Sequence, residues 1–375
     1  MAVTGPGLVT GGGVACGNGA SACDVTLAPG TAVTLTAAAA SQARFTGWGG
    51  ACSGNSPTCQ INVQGDTHVS ASFLDEVQTL VPNDGTSTGV LALNSTAVFF
   101  VRTLPDRGYA VWSVPKAGGT ALIVASCPLS CSAGGGATYM VADEAFVYWT
   151  DSYALYSAPV QGGVVSRLAT AADRVGRLAL DEGALYWVAA HTSPSRPGSI
   201  HRMQNRVDTI LADGREANSG IAVDSTYVYF TEASFNGAYK AITRVPKMGG
   251  IAAKIVDTSM EALAVRVDSR NLYYREWTGG VWAAPKDGGT ARLLSTGNSS
   301  NGGGIGSIEL DVNAFVAWWN WNGTTGNLHG LFRANADGSG WTPVDTGADS
   351  TWFGPRVDDT AVYYFHGGAL IKRLK

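Results

Sequence analysis

Charge is scarce in this sequence. Acidic and basic residues together make up 14% of its 375 positions, where an ordinary globular chain carries roughly a quarter. The net charge is -4 and no run of lysine or arginine occurs, so the concentrated basic footprint that neutralises phosphates is missing and a nucleic-acid partner is excluded. Long apolar runs are also absent. No stretch approaches the ~18 residues a membrane-spanning helix needs. Extended helix-forming runs of alanine, leucine, glutamate and lysine do not occur either, and no His-Glu-x-x-His segment, P-loop or EF-hand loop is found. The five histidines are scattered and no Cys-x2-Cys pair exists, which removes the usual zinc ligand sets. No cofactor or metal is implied.

Glycine (49), tryptophan (11) and tyrosine (13) are plentiful. With so few helix signals, this is the composition of a turn-rich all-β protein. The six cysteines fall in close pairs, Cys16 with Cys23, Cys52 with Cys59 and Cys127 with Cys131, and read as three short disulfide loops. Disulfides imply an oxidising compartment, so a secreted or cell-surface protein is expected. The first residues, MAVTGPGLV, lack the basic and apolar regions of a signal peptide; a leader is expected to have been removed.

Residues 1–74 separate from the rest. DVTLAPGTAVTLTA, ARFTGWGGAC and CQINVQGDTHVSASF alternate apolar and polar residues with period two between glycine-rich turns, and so read as strands of a small β domain. Cores of that size bury too little surface to be secure alone, and the two cysteine pairs are sensible staples. The run Phe45-x-Gly47-Trp48-x-Gly50-x-Cys52-x-Gly54, with Cys59 and the closing Val69-x-Ala71-x-Phe73, resembles the bacterial extracellular repeat domain related to the internalin B-repeat, which is β-grasp-like. The resemblance implies a spacer or adhesion role rather than catalysis, with Trp48 a core residue.

From residue 76 the chain repeats itself. An acidic or amide anchor recurs at Asn94, Asp143, Asp181, Asp224, Asp268, Asp311 and Asp358, spaced by 49, 38, 43, 44, 43 and 47 residues. Four residues past each anchor comes an aromatic strand, such as VFF at 98, VYW at 147, LYW at 185 and VYF at 228, and Gly-Gly or Asp-Gly turns follow, as at Gly118-Gly119 and Asp337-Gly338. Four short strands repeated at this period make a β-propeller blade, and seven anchors make seven blades. The last repeat stops after its third strand at 369–374, while an orphan strand at 77–81 precedes the first; pairing these two would close the ring and hide its edges. The expected fold class is therefore all-β: a small disulfide-stapled domain over 1–74, then a seven-bladed propeller over 75–375. The repeat resembles YWTD and NHL-like propellers, most closely in VYWTD at 147–151. Fold alone does not set function.

Positions that break the repeat are the candidate binding residues. Two residues before the anchors stand Ala92, Val141, Ala179, Ala222, Arg266, Glu309 and Arg356, a position expected to face the central channel. Arg266, Glu309 and Arg356 would form one charged wall, with Tyr139 and Arg177 nearer the entrance. They form either a self-neutralising plug or a site for an anionic or sugar-acid ligand. Eight residues past the anchors stand Arg102, Asp151, Ala189, Glu232, Glu276, Trp319 and His366, and Trp321, Trp277 and Trp352 lie in the loops nearby. Indoles stack on sugar rings and carboxylates read their hydroxyls, so a glycan or other extracellular polymer on this loop face is the leading partner. A structural or protein-interaction propeller is the alternative. A polysaccharide lyase drawing on His366, His191, Tyr139 and Arg177 is a third reading. Gly85-Thr86-Ser87-Thr88-Gly89 matches a nucleophile elbow in letters only, because no helix follows it.

Overall fold

The computed structural model describes the chain except for residues 128–135, 152, 171–173, 191–192, 194, 235, 278–279, 296–306, 312–313, 320–328, 341 and 348–352. It is all-β, and it divides into two compact units, Met1–Gln78 with Arg373–Lys375, and Thr79–Lys372.

The first unit holds two sheets. Ala2–Thr4 runs parallel to Val69–Asp75, which pairs in turn with Ala43–Gly50, while Thr31–Ala39 sits inside a five-stranded antiparallel sheet between Gly7–Gly11 and Thr58–Val63. The alternation read from the sequence becomes the core: Val33, Leu35 and Ala37 turn inward from one strand, Val69, Ala71 and Phe73 from another. Trp48 is buried among them, its indole N–H donating to the Ser56 carbonyl at 2.7 Å. Disulfides join Cys16 to Cys23 and Cys52 to Cys59. Cys127, in the other unit, is also disulfide-bonded; Cys131 lies outside the described residues.

The second unit is a β-propeller. Among the described residues it forms seven four-stranded sheets, six of them sequential antiparallel meanders, and the seventh ordered Phe353–Val357, Ala361–His366, Ala369–Leu374, Val77–Val81. We number these blades 1 to 7 in chain order. Their innermost strands are Ser87–Leu93, Tyr139–Ala142, Val175–Asp181, Ala217–Val223, Ala262–Val267, Ser307–Asp311 and Phe353–Val357. Each neighbours the next, and the last returns to the first, so they ring a central channel.

The recurring residues have three structural duties. The anchor carboxylate closes the first hairpin: Oδ1 of Asp224 accepts from the amides of Thr226 and Tyr227, both at 2.8 Å, and its Oδ2 accepts from the Tyr229 hydroxyl at 2.9 Å. Asp143, Asp268 and Asp358 repeat this set with Tyr148, Tyr273 and Tyr363. Blade 1 replaces the acid by Asn94, which holds the same turn. The aromatic strands fill the seams between blades, where Trp149 is fully buried and donates its indole N–H across the seam to Tyr109 at 2.8 Å. Finally, Gly118, Gly162, Gly249 and Gly288 adopt positive φ in a turn that donates back to the carbonyl of the preceding proline.

One recurring device is not evident from the pattern of strands. A lysine directly after the third-strand proline reaches back to the anchor of the preceding blade: Lys116 to Asp358 at 2.7 Å, Lys286 to Asp224 at 2.9 Å, and Lys247 to Asp181. These bridges tie blades together at the ends of their aromatic seams. Burial opposes ionisation of Asp358 and Asp224, but hydrogen bonds from the lysines and from turn amides outweigh it and hold both carboxyls below the usual range.

A candidate binding site in the central channel

A cavity of about 270 Å³ opens in the channel, lined by residues from six of the seven innermost strands. Small side chains such as Val141, Ala179 and Ala222 leave the space, and Tyr139, Arg177, Arg266, Glu309 and Arg356 supply its polar wall. Blades 5, 6 and 7 bring the last three together. Glu309 accepts two bonds from Arg266, at 2.6 and 3.1 Å, and one from Arg356 at 2.8 Å. Each arginine also donates to the carbonyl just before it. Burial would raise the Glu309 carboxyl, but the charges of Arg266 and Arg356 and the Arg266 hydrogen bonds win and hold it low.

Arg177 is different. Its guanidinium stacks on the Tyr139 ring, 4.8 Å from the centroid, and its buried Nε has no hydrogen-bond partner among the described residues. Burial pushes Arg177 down to about 10; Tyr139 opposes that shift, and the charges of Arg266, Arg356 and Arg275 add to it. It is therefore still a cation at neutral pH. Among the described residues three arginines face one carboxylate on the cavity wall, an excess of two formal positive charges there. Such a site attracts anions. Arg275 lies close enough to bear on both Arg177 and Tyr139, and it too has a buried Nε without a partner among the described residues.

The residues expected on the loop face are differently placed. Asp151 (0% exposed), Glu232 (1%) and Glu276 (2%) are turned inward. Asp151 caps its own loop through the amides of Tyr153 and Ala154. Glu232 takes a bidentate pair from Arg215, at 2.9 Å twice, and a bond from Thr243. Glu276 takes the amides of Ser259 and Met260 and the Ser259 hydroxyl. Their carboxylates brace loops instead of standing on the rim, because buried carboxylates must be satisfied where they lie. Trp277 is 68% exposed and free to stack. Trp319 ends the strand Ala314–Trp319, whereas Trp321 and Trp352 lie outside the described residues.

Of the lyase set, Tyr139 and Arg177 stack together, His366 is held 3.3 Å from Asp345, and His191 lies outside the described residues. The run from Gly85 to Gly89 leads straight into the strand Ser87–Leu93, not into a helix. Two features escaped the sequence reading. One is the lysine bridge, whose signal is the lysine that follows three of the four third-strand prolines, Pro115, Pro246 and Pro285. The other is a hydrogen-bonded chain in blade 3, where Ser199 Oγ meets His201 Nε2 at 2.8 Å and His201 Nδ1 meets Asp208 at 2.9 Å. The imidazole lies flat on Trp187, with ring centroids 3.9 Å apart, and none of the three residues lines the channel cavity.

Comparison with known proteins divides along the same line as the fold. Residues 10–76 match the divergent InlB B-repeat domain family. No curated protein matches the chain in sequence. Among solved structures, the WD40 β-propeller domain of Doa1 superposes with a TM-score of 0.57 at 11% identity, covering 80% of this chain and 95% of that one. The extracellular domain of the putative one-component system BT4673 from B. thetaiotaomicron gives 0.56 at 12%, covering 80% of this chain and 40% of that one. PorZ, described as an essential bacterial surface component of the type-IX secretion system of Porphyromonas gingivalis, gives 0.53 at 10%, covering 78% and 37%. The chain thus spans about two-fifths of the latter two. At these identities the likeness is one of fold, a β-propeller, and the chain carries before it in sequence a domain similar to the InlB B-repeat.

Proposed function

We propose that this is an extracellular or cell-surface binding protein whose propeller takes an anionic ligand in its central channel, a sugar acid of an extracellular glycan being the best match. The carrying observation is the cluster of Arg177, Arg266 and Arg356 around Glu309, with a buried Arg177 Nε that has no partner among the described residues. A carboxylate is the natural complement of a guanidinium fork, and each charge-assisted hydrogen bond it makes is roughly twice as strong as a neutral one. Trp277, just past the end of the strand Asn271–Glu276 that carries Arg275 and largely exposed, supplies a surface on which a sugar ring can stack. The compartment is supported by the disulfides, by the InlB B-repeat match and by the surface and extracellular settings named for PorZ and the BT4673 domain.

The test is titration of the full chain with oligouronates and with neutral oligosaccharides of equal length. Saturable binding of the acidic series, weakened about tenfold or more in Arg177→Met and spared in Arg102→Met, supports the reading. Equal binding of neutral and acidic series, or none of either, overturns it. The second reading, a structural or protein-interaction propeller, is favoured by one observation: Glu309 already pairs with both Arg266 and Arg356. Under it Arg356→Ala lowers stability and changes no glycan affinity. Release of unsaturated products from uronic-acid polymers would instead mark the lyase alternative.

A further inference from the structure

The lysine bridges between blades supply a template for a second site, independent of the channel. At Asp224 and Asp358 the carboxylate Oδ2 accepts from two donors, the tyrosine of its own blade and the lysine of the next. At Asp143, in blade 2, Oδ1 holds its turn through the Ala145 and Phe146 amides as usual, and Oδ2 accepts from Tyr148 at 3.2 Å. No lysine bridges to it among the described residues. The reason is in the sequence of blade 3, where the third strand ends at Gln204 and turns at once through Asn205 and Arg206, both at positive φ (52° and 65°), into the strand that begins at Val207. This two-residue turn replaces the longer Pro-Lys-x-Gly-Gly connection, and with it the lysine. A pocket of about 430 Å³ lies there, bounded by Asp143, Tyr148, Phe146, Leu185, Met203 and Arg206 among others.

We infer that this pocket between blades 2 and 3 binds a primary ammonium carried on an aliphatic stem, which sets its charge on Asp143 as Lys286 does on Asp224. Three observations converge on that chemistry. The acceptor geometry is the one the fold itself uses for lysine ammonium in three other seams. Tyr148 stands where Tyr363 lies under the Lys116 ammonium, 5.5 Å from the ring centroid, so the cation would meet an aromatic face as well. Phe146, Leu168, Leu185 and Met203 give the walls an apolar character suited to methylene groups. Where blade 1 carries the neutral anchor Asn94, the next blade offers Val160 after its proline, so acid and lysine are lost together there. At Asp143 the acid is kept without the lysine. Arg206 is exposed at the pocket and is the one cation lining it among the described residues. Its charge opposes a second cation and sets a limit on affinity.

The experiment titrates the full chain, followed by NMR or calorimetry, with Nα-acetyl-lysine methylamide, with its Nε-acetylated counterpart, with cadaverine, and with a lysine-containing tetrapeptide. The free amine should bind saturably, and the Nε-acetylated compound at least about tenfold more weakly, the worth of one charge-assisted hydrogen bond. Asp143→Asn should lose the same factor while keeping the fold, since Asn94 shows that an amide holds the turn; an unchanged melting temperature verifies this. Arg206→Gln should tighten binding several-fold, and Asp257→Asn, in an exposed pair with Lys254 away from the pocket, should leave it unchanged. Binding of cadaverine without the tetrapeptide identifies a small amine as the occupant, and binding of both a lysine side chain of a partner. Equal binding of amine and acetylated compound, full binding to Asp143→Asn, or no saturable binding of any amine overturns the inference.

Discussion

Replacing Glu309 by glutamine separates the two roles of the channel charges. The substitution keeps the side-chain volume and removes the one anion among Arg177, Arg266 and Arg356. Glu309 is 13% exposed, and the arginines that pair with it are 20% and 23% exposed, so the pairing is largely shielded from water. Removing one partner of a buried pair costs about 3–5 kcal/mol. Because the cavity admits solvent, we expect the lower end, about 3 kcal/mol. For a propeller of this size each kcal/mol moves the melting temperature by roughly 2 °C, so a fall of about 6 °C should be seen by calorimetry. The same change leaves three uncompensated cations, and a small carboxylate should then restore what was lost. At a hundred times its dissociation constant a ligand adds about 2.7 kcal/mol. Glucuronate or citrate should therefore raise the melting temperature of Glu309→Gln more than that of the parent chain, and neutral glucose should raise neither. A variant within about 0.5 kcal/mol of the parent, or one that responds to glucuronate no more than the parent does, refutes the account of the channel.

Other consequences are open to direct measurement. Trp149→Ala should cost about 3–5 kcal/mol in denaturant unfolding, since it empties a fully buried seam and orphans the Tyr109 hydroxyl. Lys286→Met should cost about 1–3 kcal/mol because it leaves the mostly buried Asp224 carboxylate without its ammonium, whereas Lys254→Met, whose partner Asp257 is 70% exposed, should change stability by less than about 0.5 kcal/mol. The carboxyls of Asp224, Glu309 and Asp358 are held low in the folded state. Their contribution is full above the unfolded value of roughly 4 and is lost as pH falls through it toward the folded values, so urea midpoints should be flat from pH 7 to 5 and drop steeply below pH 4. Replacing Cys52 and Cys59 by alanine should destabilise the first unit by about 2.5 kcal/mol on loop-closure grounds; limited proteolysis should then cut within residues 1–74 and spare the propeller blades.

The sequence by itself determined what is local and periodic. Strand alternation, the anchor that closes each first hairpin, the aromatic pair and the glycine turns all act within a few residues, and each recurs in most of the blades, so one blade explains another. The inward burial of Trp149 follows from its counterparts alone. The close spacing of Cys16 with Cys23 and of Cys52 with Cys59 likewise leaves little for the fold to choose.

Only the tertiary structure decided what depends on partners distant in the chain. Whether Glu232 and Glu276 would meet solvent could not be read from their shared position, because their partners come from other strands and loops: Arg215 for Glu232, Ser259 for Glu276. Lys116 finds Asp358 across 242 residues, and Glu309 chooses between arginines 43 and 47 residues away and takes both. Ring closure sets those distances, since it brings the same register of every blade to one axis or one seam. The hydrogen-bonding power of a carboxylate is written in the sequence, and the direction in which it is spent is settled by the neighbours that the closed ring supplies.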